Sequence, residues 1–353
     1  MAAYTTIDNP ELYFQVTTFV GNEVDDRAIT LPGSEDMAPD MVWAAEYAGD
    51  YDGGKIWDTV RGATKHLFPG RTNTEATNAN GLKSFTSDGF TVGTDAATND
   101  DGVSNVAWCW KAGTTSGITT DGNTTITPSG YSFNQTAGFS ILKYTGNATS
   151  GAKLAHGLGA TPEMVICKNL DSGNSWIVGH TKEDASAPWD YGLNLDSTAA
   201  RGNTALFWND TAPDSINITL GSSDDNNEAA AHVAYCFNEV QGYSKFGSYE
   251  GTGNADGTFV YTGFRPAFVM TKSIDSTSDW DMFDNKRAGY NPDNNQLWAN
   301  RDAVEATTDM IDILSNGFKC RIATDPNVAE TYIYAAFAEA PFVNSNGVPC
   351  NAR

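Results

Sequence analysis

Histidine is scarce in this chain of 353 residues, with only His66, His156, His180 and His232. None falls in an HxxxH or HExxH pattern or in a spaced Cys/His set, which argues against a transition-metal site. Cysteine is scarce too. The five present (Cys109, Cys167, Cys236, Cys320, Cys350) are an odd number with no CxxC pair, so no disulfide framework is expected. Four of them lie in apolar strand-like segments, as small buried hydrophobes do, and a reducing cytoplasm is the expected place of folding. No apolar run approaches the ~20 residues of a membrane span. The opening Met-Ala-Ala-Tyr-Thr-Thr lacks the basic and apolar regions of a signal peptide. Membrane insertion and secretion are therefore not expected. Basic residues number 21 against 44 acidic ones, a net charge of −23 that repels phosphate backbones and makes nucleic acid an unexpected partner. Signatures of catalysis are missing as well: there is no GxSxG elbow, Walker loop or dinucleotide fingerprint. His156-Gly-Leu-Gly159 stands before a proline and a strand rather than a helix, and reads as a turn.

What is there is apolar, aromatic and repetitive. Apolar residues make up 40% and aromatics 11%, ample for packed cores. Gly, Asn, Thr, Ser and Asp punctuate short apolar stretches, the texture of an all-β chain. One phrase occurs three times: Phe19-Val-Gly-Asn22, Tyr144-Thr-Gly-Asn147 and Tyr249-Glu-Gly-Thr252. Each is followed by a proline and an apolar run, Pro39-Asp-Met-Val-Trp43, Pro162-Glu-Met-Val-Ile166 and Pro266-Ala-Phe-Val-Met270. Each ends in a strand-like segment, Val106-Ala-Trp-Cys-Trp110, Val233-Ala-Tyr-Cys-Phe237 and Ile333-Tyr-Ala-Ala-Phe337.

Measured from those prolines, Asp58, His180 and Asp284 fall at offsets of 19, 18 and 18. The closing segments fall at 70, 74 and 70, counted to Cys109, Cys236 and Ala336. Such spacing predicts three tandem β-sandwich repeats of about 100 residues, the plan of a binding or structural protein. The expected division is 1–113 with an N-terminal arm, a polar linker or extended arm at 114–138, then 139–241, 242–343 and a tail at 344–353. Second strands are expected at Phe85–Val92, Asp214–Leu220 and Ile313–Cys320, and a helical turn or two at Asp302–Ile313 and Asn227–His232. The short junction Gln241–Lys245 predicts close packing of the second and third units, with the first on a longer tether.

Several residues invite chemistry. Asp58 and Asp284 could form an acid pair for glycoside cleavage. Their recurrence at one position points instead to the fold, in partnership with Arg61 and Arg287 or capping a turn, and the chain is expected not to be an enzyme. The loops before each closing segment are oxygen-rich, and Asp100, Asp101, Asp224 and Asp225 are candidate Ca²⁺ ligands, though the EF-hand spacing is absent. No other metal or cofactor is expected. Trp189, Trp208 and Trp298 sit in loop-like text, and Trp189 and Trp298 are the candidates for stacking on a glycan.

The segments Ile7–Phe14, Asp58–Lys65, Ser84–Phe90, Val106–Gly113, Ala137–Ile141, Ala155–Gly159, Val260–Pro266, Leu314–Phe318, Tyr332–Glu339 and Asn351–Arg353 together resemble a family of tailed-bacteriophage virion proteins from marine and cyanobacterial phages. The resemblance covers nearly the whole chain, though Thr30–Met37 departs from the usual approach to Pro39. In that family the module looks to occur alone and at the ends of tail-fibre-like chains, sometimes behind a lectin-like sandwich. This implies a non-enzymatic virion part, assembled in the host cytoplasm and displayed outside the particle. Other virion proteins, a host-surface glycan and further copies of the chain are the implied partners. Tail association (fibre, tip or adaptor) serving host adsorption, capsid decoration or cement, and a carbohydrate-binding module stand as alternatives. No catalytic residue is implied.

Overall fold

A computed structural model describes residues 5–49, 53–287, 291 and 295–350. The fold is all-β. Among the described residues the α-helices are single turns at Ala96–Asn99, Ala205–Trp208 and Asp224–Asn227, and Asp302–Met310 holds none.

Three large antiparallel sheets share one strand order. The first runs, in space, Phe14–Val20, Ser104–Trp110, Met41–Ala48, Lys55–Asp58. The second has Phe139–Thr145, Ala231–Phe237, Met164–Asn169 and Ile177–His180 in the same places, extended by Gly130–Asn134 at one edge and by Tyr191–Asn194 and Gly202–Asn203 at the other. The third places Ser244–Glu250, Thr331–Pro341, Phe264–Ser273 and Asp281–Asp284 likewise. The last-made strand lies inside each sheet, between the first and the second. A small sheet covers one face of each: Arg27–Thr30 with Leu82–Thr86 and Gly89–Val92, Ala152–Ala155 with Asn217–Leu220, and Phe259–Tyr261 with Ile311–Leu314 and Gly317–Cys320.

The run expected as one strand at Phe85–Val92 is a hairpin, turning between Thr86 and Gly89, and Ile313–Cys320 turns at Ser315–Asn316. The two loop residues, Ser87-Asp88 and Ser315-Asn316, are turn formers, and each pair outweighs the apolar residues around it. Gly89 follows as the first residue of the returning strand, where the neighbouring strand leaves no room for a side chain: a Cβ there would sit 2.0 Å from the Ile29 oxygen.

The alternation of side chains along the closing strands explains the architecture. Ala107 and Cys109 enter the core of the first sandwich, Ala234 and Cys236 that of the second, and Tyr332, Tyr334 and Ala336 that of the third. The intervening residues Val106, Trp108, Trp110, Val233, Tyr235, Phe237, Ile333, Ala335 and Phe337 all join one shared central core. A strand whose two faces are both buried reads as continuously apolar. The three large sheets thus face one another around a common axis. Trp110 touches Phe14 of its own unit, Phe237 of the second and Phe268 and Phe337 of the third, at centroid distances of 4.8, 6.5, 5.9 and 5.5 Å.

The tether expected for the first unit is therefore overturned. Burial of Phe14, Met41, Trp43 and Trp108 fixes that unit against both others. Residues 114–138 lie along the second sandwich, pairing Gly130–Asn134 with Phe139–Lys143 and bridging Ile126 to Leu154.

Candidate functional site

Position for position, three seams join the units into a closed ring. A backbone amide crosses each one: Glu75 N to Leu170 O at 3.0 Å, Arg201 N to Ile274 O at 3.2 Å, and Glu305 N to Tyr47 O at 3.2 Å. The slot occupied by Asp58, His180 and Asp284 ends the fourth strand of each large sheet and reaches the neighbouring closing strand. Tyr235 donates its hydroxyl to Asp58 at 2.7 Å, His180 Nε2 lies 3.2 Å from the Tyr334 carbonyl, and the Trp108 indole donates to Asp284 at 3.2 Å. The direction is cyclic: first unit to second, second to third, third to first.

Each aspartate is held by its own arginine three residues on. Asp58 accepts the Arg61 amide at 2.7 Å and the Arg61 Nε, and Asp284 accepts the Arg287 amide at 3.1 Å and its Nε at 2.7 Å. Glu75 and Glu305 complete the two triads, 3.5 and 2.9 Å from the guanidinium nitrogens. Burial works against the charge on Arg61, yet Asp58, Tyr235 and Glu75 hold its pKa above the ordinary arginine value. At the second seam burial drives His180 down to about 3. Lys182 N donates to His180 Nδ1, so a neutral ring with its proton on Nε2 faces the carbonyl. Beside it, burial raises the Glu183 carboxyl well above the usual range. Asp58 and Asp284 thus stand in different seams with their oxygens engaged, and they form no acid pair.

The seams between consecutive units also carry buried lysines and indoles. Lys168 donates to the carbonyls of Thr72, Ser172 and Asn174 at 3.1, 3.4 and 2.6 Å. Lys272 donates to Thr198 O and Ser273 O at 3.2 and 2.9 Å and to Ser278 Oγ at 3.1 Å. Burial brings both down to about 8. The indoles of Trp176 and Trp280 donate to Phe68 O and Asn194 O, both at 2.9 Å.

The recurring Gly-Asn or Gly-Thr phrase finds its partner in the oxygen-rich loops. Asn99, Asn227 and Asn327 are fully buried. Their side-chain oxygens accept the amides of Asn22, Asn147 and Thr252 at 3.1, 3.0 and 3.0 Å. Their amide groups donate to Gly93 O and Val24 O, to Gly221 O and Thr149 O, and to Ile322 O and Asn254 O. Glycine is required beside them, since a Cβ on Gly21, Gly146 or Gly251 would lie 2.0, 2.1 or 1.9 Å from a loop carbonyl. Sequence reasoning missed these asparagines for the louder carboxylates around them. Their signal is position, ten, nine and nine residues before Cys109, Cys236 and Ala336.

The candidate Ca²⁺ ligands serve those loops. Asp225 accepts the Ser175 amide at 2.9 Å and the Ser223 hydroxyl at 2.6 Å, and the Asp224 carbonyl accepts from Asn169 and Asn174. Asp101 and Asp224 are exposed and Asp100 half-buried. Among the described residues no group of three or more His, Cys, Asp or Glu side chains is placed to hold a metal ion.

Trp189 is buried rather than displayed on a loop, 5% exposed and edge-on to the fully buried Trp208 at 5.4 Å. Gly179 makes the room, as a Cβ there would come within 2.5 Å of Trp189. Trp298 is half-buried, and the Arg301 guanidinium lies 4.4 Å over its ring. The two do not form a common platform. On the axis, a cavity of about 30 Å³ lies among Trp110, Met164, Phe237, Met270 and Phe337, wholly apolar and too small for an organic ligand. Cys109, Cys167, Cys236 and Cys320 are buried and unbridged.

Residues 9–341 match the family model described as "Domain of unknown function (DUF7483)". The chain belongs to that family. The DUF7483 match spans all three large sheets and all three seams, so the closed ring is the whole of the matched region. No curated protein and no solved structure matches the chain.

Proposed function

We propose that this DUF7483 chain is a non-enzymatic structural component of a tailed-phage virion, tail-associated and exposed, that contributes to host adsorption. One observation carries the non-enzymatic part of this reading. Of the buried ionic groups at the seams, Asp58, Lys168, Lys272 and Asp284 each bond a residue of the neighbouring unit, and Arg61 and Arg287 hold the two aspartates in place. A single chain closed into a ring of three sandwiches is a rigid piece that can stand where an assembly offers threefold or quasi-threefold neighbours. The virion itself is supported by the resemblance of the quoted segments to phage proteins. Divergent loops on a shared framework suit contacts with other virion proteins, further copies or a host glycan.

The test is quantitative mass spectrometry of purified particles, paired with gold labelling under the electron microscope. Label at the tail in few copies per particle is the expected result. Label spread over the head in many copies would move the chain to capsid decoration. Absence from particles would end the virion reading. Turnover of host polysaccharide that is lost in folded Asp58→Ala and Asp284→Ala variants would overturn the non-enzymatic reading.

A further inference from the structure

The outer edge of the first strand in each large sheet is treated differently in the three units. In the first unit the loop Leu31–Met37 lies against the Gln15 side chain of that strand. Gly33 donates to the Gln15 side chain at 2.8 Å, Gln15 donates back to Glu35 O at 3.1 Å, and Leu31 and Met37 are buried in the sandwich. In the second unit Gly130–Asn134 pairs with Phe139–Lys143, and Ile126 lies along the small sheet. The amides of Thr125 and Ile126 both donate to Lys153 O at 2.9 Å, and Ile126 enters the core beside Leu154. That segment closes the open side of the second sandwich.

The same side of the third unit has no such cover among the described residues. Ser244–Glu250 ends the large sheet and Phe259–Tyr261 ends the small one. Between them runs a groove of about 540 Å³ lined by Lys182, Lys245, Gly247, Phe259, Tyr261 and Tyr334, with Glu239 at its rim. Phe259 is 44% exposed and Tyr261 57% exposed, alternate residues of one edge strand. A row of unpaired backbone groups beside exposed aromatics is a template for strand addition, which folded proteins ordinarily cover or charge. Lys245 is paired with Glu239 at 3.3 Å, which leaves Lys182, in no ion pair among the described residues, as the charge the lining offers in a chain with 44 acids and 21 bases.

We infer that this groove receives an extended, acidic segment of a partner protein. The segment adds a strand to Ser244–Glu250, seats an apolar side chain against Phe259 and Tyr261, and pairs a carboxylate with Lys182. The second unit supplies the pattern within the molecule, where an arm adds a strand to one sheet and an isoleucine to the core. The inference does not depend on the virion reading.

The test uses the full chain and a fluorescent peptide of about ten residues alternating valine and glutamate, long enough to span one strand. Anisotropy should show binding, with amide-exchange protection confined to residues 245–249. Affinity should fall about tenfold or more in a Phe259→Ala/Tyr261→Ala variant. It should fall similarly for a valine–lysine peptide and for a peptide with proline at its centre, which cannot complete the ladder. Both substituted positions are exposed, and an unchanged melting temperature would show that the fold is kept. Absence of binding, equal affinity of the double variant or equal affinity of the lysine peptide would each overturn the inference. So would concentration-dependent dimers that the double variant abolishes, because a second copy would then be the occupant.

Discussion

The first and second seams place different chemistry in one position. At the first, Asp58 is ionic, clamped by Arg61, and accepts a hydroxyl from Tyr235. At the second, His180 is neutral and stands against a backbone carbonyl. The third seam returns to the aspartate–arginine form, with the Trp108 indole as donor. What each position needs is set by the strand opposite: a side-chain donor calls for a carboxylate, and a carbonyl calls for an N–H. A ring seam can therefore tolerate exchange of Asp for His provided the partner changes with it.

The largest effect should come from breaking the ionic seam. Arg61→Ala leaves the Asp58 carboxylate buried without its counter-ion and should cost about 3–5 kcal/mol in denaturant unfolding. A joint Asp58→Met/Arg61→Met replacement should recover most of that loss. A double variant as unstable as Arg61→Ala would show that the seam needs the ion pair itself.

Next in size are the loop asparagines, which lie outside the seams and should respond alike in all three units. Asn99→Ala, Asn227→Ala and Asn327→Ala each leave backbone groups without a partner and should cost about 1–3 kcal/mol. A near-zero cost in one unit would show that its loop is held by something else.

The neutral seam should announce itself in its pH dependence. His180 titrates at about 3 folded, below its ordinary value of 6.5. Above 6.5 both states are neutral and its contribution is fully present. As pH falls from 6.5 towards 3, the unfolded chain takes up a proton that the folded one refuses, and stability is lost at about 1.4 kcal/mol per pH unit. The stability gap between the wild type and His180→Asn should change by that slope in this window. A gap constant with pH would place the histidine in a solvated setting.

The smallest effect is expected at the rim of the third seam. Arg71 and Asp302 are 2.8 Å apart with side chains 30% and 41% exposed. Arg71→Ala should cost about 0–1 kcal/mol in thermal or denaturant unfolding. A loss of several kcal/mol would mean that this exposed pair, and not the buried Asp284, closes the ring.

Much of this was legible in the residues. Short apolar stretches and the turn residues between them marked an all-β chain, and the buried cysteines stand in segments that read as strands. Recurrence of Asp58 and Asp284 at one position pointed to the fold, with Arg61 and Arg287 as partners or a turn to cap, and the structure shows the arginine pairing. The hairpins turning at Ser87-Asp88 and Ser315-Asn316 were not read, because the apolar residues on either side of each turn gave the text of one strand. Trp189 misled because Gly, Pro and Asp around it read as surface, while the space it fills is made by Gly179, distant in sequence.

By itself the sequence determined that Trp108, Trp110, Tyr235, Phe237 and Phe337 lie in apolar strand-like segments, because the hydrophobic effect writes burial into composition. It left open whether both faces of those strands are covered and by what, since that effect carries no direction and any apolar surface would serve. Only the tertiary structure decided that the three sheets cover one another. Whether Asp58 meets Tyr235, or His180 meets the Tyr334 carbonyl, depends on contacts across more than a hundred residues of chain, which no local pattern encodes.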